Sequence, residues 1–404
     1  MNLRMQEMIK SAKHIWIYGA GKIARQALTM LSSACLQLPI DGVVVSCKQE
    51  EDTKLCGYPI RDITEVDAND NGTVFLIAVS EKYQQEITET LRRHGYHNYV
   101  AWYAPPLREI WTLADYAFID RRRGKKKVCF VLSGYKKFLW KDVFKRLQKF
   151  APEDVDICIL SSGLWDGQLA EIAEKNGWSY LSTKINNITL IQNIAIRLFE
   201  TAEWIYKMDE DIFVTGCCFE RMYHMYHYAM EKGHYRAGFV APLIPVNGYG
   251  HIRILDYLKK TEVYEERFGK AVYGGISENK LEKDAEAAAF MWGYQNVLPQ
   301  LDELNAMLEE NDTFSVCGVR FSIGFILFHR SLWEDMDGFP VSGGRDFGVD
   351  EIEMCKYCIV NSRAIIVAEN TAVGHFSFGQ QTEGMKKIYA EQPELFMIKE
   401  LKQC

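Results

Sequence analysis

Three consecutive carboxylates, Asp209-Glu210-Asp211, interrupt an apolar run that begins Trp204-Ile205-Tyr206-Lys207-Met208 and resumes as Ile212-Phe213-Val214. Three carboxylates cannot be buried together without a compensating charge. Along an extended chain Asp209 and Asp211 fall on one side and Glu210 on the other. Two carboxylates so placed can hold a hard divalent cation, Mn2+ or Mg2+, with water and phosphate oxygens in its remaining positions. Such a cation neutralises a diphosphate and makes it a better leaving group. The plainer reading is an acidic turn between two strands, and a short motif alone does not choose.

A second group of carboxylates lies late in the chain, in Val349-Asp350-Glu351-Ile352-Glu353-Met354. The pattern opens a helix, so the acids sit near its positive end. Asp350 or Glu351 can serve as a general base, typically worth a factor of about 100 to 10,000. The plainer reading is a charged helix start. The strand Ala364–Ala368 then leads to His375, which can join the two aspartates as a metal ligand or be an ordinary hydrogen-bonded histidine. Paired glycosidase acids are the rival chemistry. Spacing at a strand end on an α/β sheet favours the metal. Asp346-Phe347-Gly348 resembles a kinase triplet, but no glycine-rich or catalytic loop accompanies it, so it is read as chance.

The elements that must position these groups alternate. Strands are expected at Lys127–Ser133, Val155–Leu160, Trp178–Leu181 and the Trp204 run, with helices near 140–150, 168–176 and 186–201 between them. Alternation of this kind predicts an α/β fold with a mostly parallel sheet and ligands outside the carboxyl ends of the strands. Ser133, Gly134, Ser161, Ser162 and Asp166 would then gather with Asp209 and Asp211 on one edge, as nucleotide-binding candidates. Residues 215–313 read as mainly helical. The segment Ala241–Gly250 interrupts them; its aromatic and amide groups suit either sugar contact or a plain connector. Tyr273-Gly274-Gly275 has the composition of a lid. The segment Leu281–Leu308 reads as structural, with a role in an acceptor site left open.

The N-terminal part reads as a separate domain over 1–105. His14–Tyr18 is a β-rich run leading into Gly19-Ala20-Gly21-Lys22-Ile23-Ala24 and a helical pattern. Strand, glycine turn and helix fit the dinucleotide fingerprint through Gly19, Gly21 and Ala24. The acid that would hold a ribose is missing at the end of the second strand, where Ser46-Cys47-Lys48 stand and acids come only at Glu50, Glu51 and Asp52. That argues against a working dehydrogenase. A scaffold that binds nothing, used for assembly into a homo-oligomer, is equally consistent, since fold alone does not give function. Residues 106–126 read as a linker, and 127–404 as the second domain. Six positive charges in the seven residues Arg121–Lys127 favour a solvated connector over peripheral contact with anionic lipid.

A length of 404 residues allows two or three domains. With 48% hydrophobic and 25% charged residues the composition is that of an ordinary globular protein. A net charge of −7 argues against a nucleic-acid partner. No signal peptide or bilayer-length apolar run is read, which predicts a cytoplasmic protein, with peripheral contact at the inner membrane face as the variant of that reading. The 11 cysteines, odd and scattered, read as reduced thiols, the Cys355-x-x-Cys358 pair included.

Taken in order, these features resemble a GT-A fold glycosyltransferase of the family 2-like group over residues 127–378. The resemblance rests on the early polar strand ends, on Asp209-Glu210-Asp211 as the Asp-x-Asp equivalent, on Gly324–Pro340 leading into Asp350-Glu351-x-Glu353-Met354, and on His375. Residues 13–103 are similar to the small Rossmann-like domains of sugar acyltransferases and polysaccharide-pathway enzymes. The resemblance implies a metal-dependent, inverting transfer of a hexosyl group from a nucleoside-diphosphate sugar, UDP-linked in many relatives. The acceptor is the hydroxyl of a glycan, glycolipid or protein, in surface polysaccharide or glycoconjugate biosynthesis. It implies Asp209, Asp211 and His375 as ligands of Mn2+ or Mg2+. The acidic pair reads Asp-Glu where the family has Glu-Asp, so Glu351 is the base by register and Asp350 by residue type. Ser161-Ser162-Gly163 lacks the aspartate that grips the nucleotide. The alternative is an inactive nucleotide-sugar-binding or scaffold protein.

Overall fold

The computed structural model describes residues 3–33, 38–49, 53–66, 72–103, 111–274, 279–341, 348–376 and 379–400. The chain forms two compact units. One is Met1–Asp115 with Pro340–Asp346, the other Tyr116–Phe339 with Phe347–Cys404. Glu50, Glu51 and Asp52, Pro105 and Pro106, Gly275, the Ser342-Gly343-Gly344 loop, Asp346 and Phe347, and Ser377 and Phe378 lie outside the described residues.

The first unit carries six strands: β1 (His14–Tyr18), β2 (Ile40–Val45), β3 (Lys54–Leu55), β4 (Tyr58–Asp62), β5 (Thr73–Ile77) and β6 (Tyr99–Ala101). Their order is β3-β4-β2-β1-β5-β6, parallel throughout except for the β3–β4 hairpin. Central parallel strands are covered on both faces, which is why β5 is buried along its whole length and β1 from Ile15 on. The order reverses between β1 and β5, the switch point where open α/β sheets bind ligands. Gly19 follows β1 there with φ +115°, and a Cβ would stand 2.7 Å from Val79 Cγ1, so glycine is required. Gly21 is open around its Cα, while Ala24 is buried in the helix Lys22–Ser33. At the end of β2 Ser46 is hydrogen-bonded to Tyr18 Oη at 2.9 Å.

The second unit has β7 (Tyr116–Ile119), β8 (Lys127–Leu132), β9 (Val155–Ser162), β10 (Ser179–Thr183), β11 (Trp204–Asp209), β12 (Ile212–Phe213), β13 (Ala237–Leu243), β14 (Phe314–Val316), β15 (Phe325–His329), β16 (Ala364–Ala372) and β17 (Gly374–His375). Nine form one sheet, ordered β14-β16-β13-β15-β11-β8-β9-β10-β7, and β12 pairs with β17. Pairing directions run β8, β9, β10, β11, β13 and β16 one way and β7, β14 and β15 the other. The sheet is thus α/β in character but mixed, with antiparallel β15 between β11 and β13. Helices Trp140–Phe150, Gly167–Asn176 and Ile188–Leu198 form the crossovers between β8, β9, β10 and β11.

Three readings of the chain need correction. Residues 116–119, placed above in a linker, form β7 at the sheet edge. The basic run after it is not simply solvated: Asp156 accepts from the backbone N–H groups of Arg123 and Lys125 and from Arg123 Nε at 3.0 Å, and Lys127 pairs with Asp154 at 2.8 Å. In the region read as mainly helical, Ala237–Leu243 is a fully buried strand. Its Gly238 and Pro242 suggest a loop, but tertiary burial outweighs local preference. Cys355 and Cys358 are buried free thiols, each pushed up to about 12 chiefly by burial, as expected of packing residues. No described helix is long and apolar enough to cross a membrane.

Candidate functional site

Parallel strands β8, β9, β10 and β11 end on one edge, with Asp209 opposite Leu132, Leu132 opposite Leu160, and Ser162 opposite Thr183. At that edge the three acids part company. Glu210 turns inward. Its carboxylate accepts from the backbone N–H groups of Gly134, Tyr135 and Lys136, each at 2.9 Å, and from Trp140 Nε1 at 2.6 Å. It fastens the loop after β8 to the end of β11.

Glu210 and Asp211 form the turn between β11 and β12, the plainer reading of the three acids, and Asp209 and Asp211 take partners different from those of Glu210. The Asp209 backbone N–H donates to Gly324 O at 2.8 Å, and its side chain meets Lys207 at 2.6 Å. Lys207 points from the middle of an apolar strand and is buried. It also donates to Ile323 O at 2.9 Å. Burial lowers the Lys207 ammonium, but Asp209, Asp350 and Glu351 outweigh it and keep the charge. Burial raises the Asp209 carboxyl; Lys207 opposes this, and Asp211 and Asp350 add to it.

Asp211 is almost wholly enclosed. Ile212 pairs with His375 across the β12–β17 ladder, and Phe376 N–H donates to Asp211 O at 3.0 Å. This brings His375 Nε2 to 3.2 Å from Asp211 Oδ2, with Lys136 Nζ on the same oxygen. Gly374 lies against the Trp292 ring, where a Cβ would come within 2.2 Å, and Trp292 Nε1 donates to His375 O. Burial raises the Asp211 carboxyl, but His375 and Lys136 together hold it far below the usual range.

Among the described residues no group of three or more His, Cys, Asp and Glu side chains forms a metal centre. Asp209, engaged by Lys207, does not complete a three-ligand set with Asp211 and His375. The Asp211–His375 pair offers one carboxylate and one imidazole on one ladder, and a divalent ion held there would have to displace the Lys136 ammonium from Asp211 Oδ2 and take its other positions from water and phosphate. An ion held by this pair would supply charge neutralisation of a diphosphate.

The other candidates are placed as follows. Ser133 Oγ donates to Val131 O. Gly134, with φ +148°, offers its N–H to Glu210. Ser161 Oγ bonds to Leu164 O and Tyr180 Oη, and Ser162 Oγ accepts from Asn187 N–H at 2.7 Å. Asp166 caps the helix Gly167–Asn176 through Gln168 and Leu169 N–H and pairs with Lys137. These side chains shape the edge through bonds within the protein. Exposed aromatic rings stand among them, Tyr135 at 63% and Trp165 at 50% exposure, and Tyr135 Oη donates to Ser162 O. Of the late acids, Asp350 is buried and accepts from Gln192 Nε2 at 3.0 Å. Glu351 pairs with Arg320, accepts from Ile323 N–H at 3.2 Å and keeps a side-chain exposure of 15%.

Glu282 was not singled out by type or spacing, because a lone Glu in Lys-Leu-Glu carries no motif. It ends the short 3-10 turn Lys280–Glu282 and is 5% exposed. Burial first, then Glu351, pushes its carboxyl up to about 7 against Arg320, His375 and Lys283. The fold therefore favours its neutral form. The stability so contributed is complete below the ordinary value of 4.5 and is lost as the pH rises to and through 7. Glu282→Gln should melt with the wild type at pH 4 and above it at pH 8. Equal melting temperatures at both would contradict this environment.

No family model matches the chain, and no curated protein is significantly similar. Among solved structures it is similar to the mannosyltransferase PcManGT from Pyrobaculum calidifontis in complex with GDP-Man and Mn2+, at 13% identity and TM-score 0.38, over 77% of this chain and 73% of that one. It is also similar to a cytidylyltransferase from Leptospira borgpetersenii serovar Hardjo-bovis, at 10% identity and TM-score 0.31, over 69% of this chain and all of the other. Likeness at this level assigns neither ligand nor reaction.

Proposed function

We propose that the second unit transfers a sugar from a nucleoside-diphosphate sugar to a hydroxyl acceptor with inversion, assisted by a divalent cation. The observation that carries this reading is the Asp211–His375 pair, enclosed on its own two-stranded ladder at the carboxyl edge of the sheet. An isolated buried acid and histidine could serve packing alone. Here Lys136 meets Asp211, and the exposed rings of Tyr135 and Trp165 stand on the strand-end edge where α/β sheets bind nucleotides. Asp211 and His375 would hold the cation that neutralises the diphosphate, with Lys136 adding positive charge beside it. The base stacks on an exposed ring.

Glu351 is the better candidate for the base. Its side chain pairs with Arg320 and keeps partial exposure, whereas Asp350 is buried on Gln192. Glu351→Gln is expected to cut turnover by about 100- to 10,000-fold with donor affinity retained. Asp350→Asn is expected to do less. Full transfer by both variants would remove the base from this segment.

A further inference from the structure

Three segments of the second unit meet beside the site. Val272 N–H donates to Asn279 Oδ1 at 3.3 Å, and Glu282 N–H donates to Asn279 O at 3.3 Å. Gly274 N–H reaches Gly248 O at 3.4 Å. Gly248 has no room for a side chain: a Cβ would stand 1.9 Å from Gly274 O and 3.2 Å from Glu282 Oε1. The Tyr273 ring packs 5.0 Å from Tyr249 and is 43% exposed. So the Pro/Gly-rich interruption at 241–250, the Tyr273-Gly274 stretch and the turn at Glu282 form one patch.

Two polar atoms of this patch have no partner among the described residues, Asn279 Nδ2 and Glu282 Oε2. Their residues are 2% and 5% exposed. Nearly all buried polar groups in native proteins are hydrogen-bonded, and exceptions call for a reason such as an absent ligand. One atom is a donor and the other a carboxyl oxygen. An exposed aromatic ring lies on the neighbouring segment. The charged groups facing Glu282 are Glu351, Arg320, His375 and Lys283, which sets the patch within electrostatic reach of the proposed base and of the Asp211–His375 pair. Amide, carboxyl and aromatic ring together are what a pyranose requires. Its hydroxyls take hydrogen bonds, and its C–H face lies on a ring.

We propose that Glu282, Asn279 and Tyr273 form a sugar-binding subsite that recognises the hydroxyl groups of a pyranose. The proposal rests on the transfer function above and deepens it. Asn279 Nδ2 donates to a hydroxyl oxygen. Glu282 Oε2 takes a hydroxyl hydrogen bond. Tyr273 covers the apolar face.

The test is calorimetric titration of the full chain with Mn2+ present. UDP-glucose, UDP-N-acetylglucosamine and GDP-mannose are each compared with UDP or GDP. Wild type is expected to bind one sugar nucleotide at least about tenfold more tightly than its own diphosphate, the factor of one well-placed hydrogen bond. Glu282→Gln and Asn279→Leu should each reduce that ratio severalfold, and Tyr273→Ala should reduce it too, with diphosphate affinity unchanged. Melting temperatures confirm that each variant is folded. A ratio preserved in all three overturns the subsite. So does a wild type that binds diphosphate and sugar nucleotide equally, and that result leaves the transferase reading standing. Failure to bind either kind of ligand overturns the transferase reading and this subsite with it.

Discussion

Asp211→Asn is expected to lower sugar transfer by about 100- to 1,000-fold, the scale lost when one preorganised electrostatic group at a reacting centre is removed, while the fold survives. The substitution keeps the volume and leaves the backbone bond from Phe376 N–H to residue 211 O in place. What it removes is the negative charge that His375 and Lys136 meet. Without that charge a divalent cation held here would lose its anionic protein ligand, and a leaving diphosphate would be neutralised by lysine alone. Steady-state assays over a Mn2+ series test this. The variant should need far more metal and reach a lower plateau. Wild-type turnover at wild-type metal demand would remove Asp211 from the chemistry.

The middle acid should behave in the opposite way. Glu210→Ala is expected to cost about 3–5 kcal/mol of stability, because truncation strands buried donors that had met a carboxylate. Three backbone N–H groups and the Trp140 indole depend on it. In a unit of this size that is roughly 10 °C in melting temperature. Urea unfolding followed by fluorescence measures it directly. A loss under about 1 kcal/mol would show that water replaces the carboxylate without penalty. The two neighbours thus separate by readout, one in activity and the other in stability.

The break of the apolar run at the three acids was legible in the chain as a turn between two strands, but the division between Asp211 and Glu210 comes from that turn and not from a strand's period of two. Also legible were the glycine turn at Gly19 and the strand–helix alternation through Asp209. Other features were not legible. Asp166 looks like a nucleotide contact by position, yet a carboxylate just before a helix also satisfies free N–H groups, and here it caps. Strand β13 hides behind Gly238 and Pro242 because its stability comes from neighbours on both sides. Glu282 carries no sequence signal, since its importance arises from burial beside residues far away in the chain. Arg320 holds Glu351 by a contact 31 residues distant in sequence. Local pattern reveals periodicity and turns; it does not reveal which buried atom lacks a partner.

Thermal stabilisation of wild type and Asp211→Asn by UDP, GDP, CDP, dTDP and NAD, each with and without Mn2+, tests the central claim most directly. Ligand at 100 times its dissociation constant adds about 2.7 kcal/mol, which is several degrees here. A shift with one nucleoside diphosphate that requires Mn2+ and vanishes in Asp211→Asn is the predicted result. A metal-independent shift with NAD alone, unchanged in the variant, would contradict it. It would move the function to the first unit and leave Asp209-Glu210-Asp211 as a structural turn.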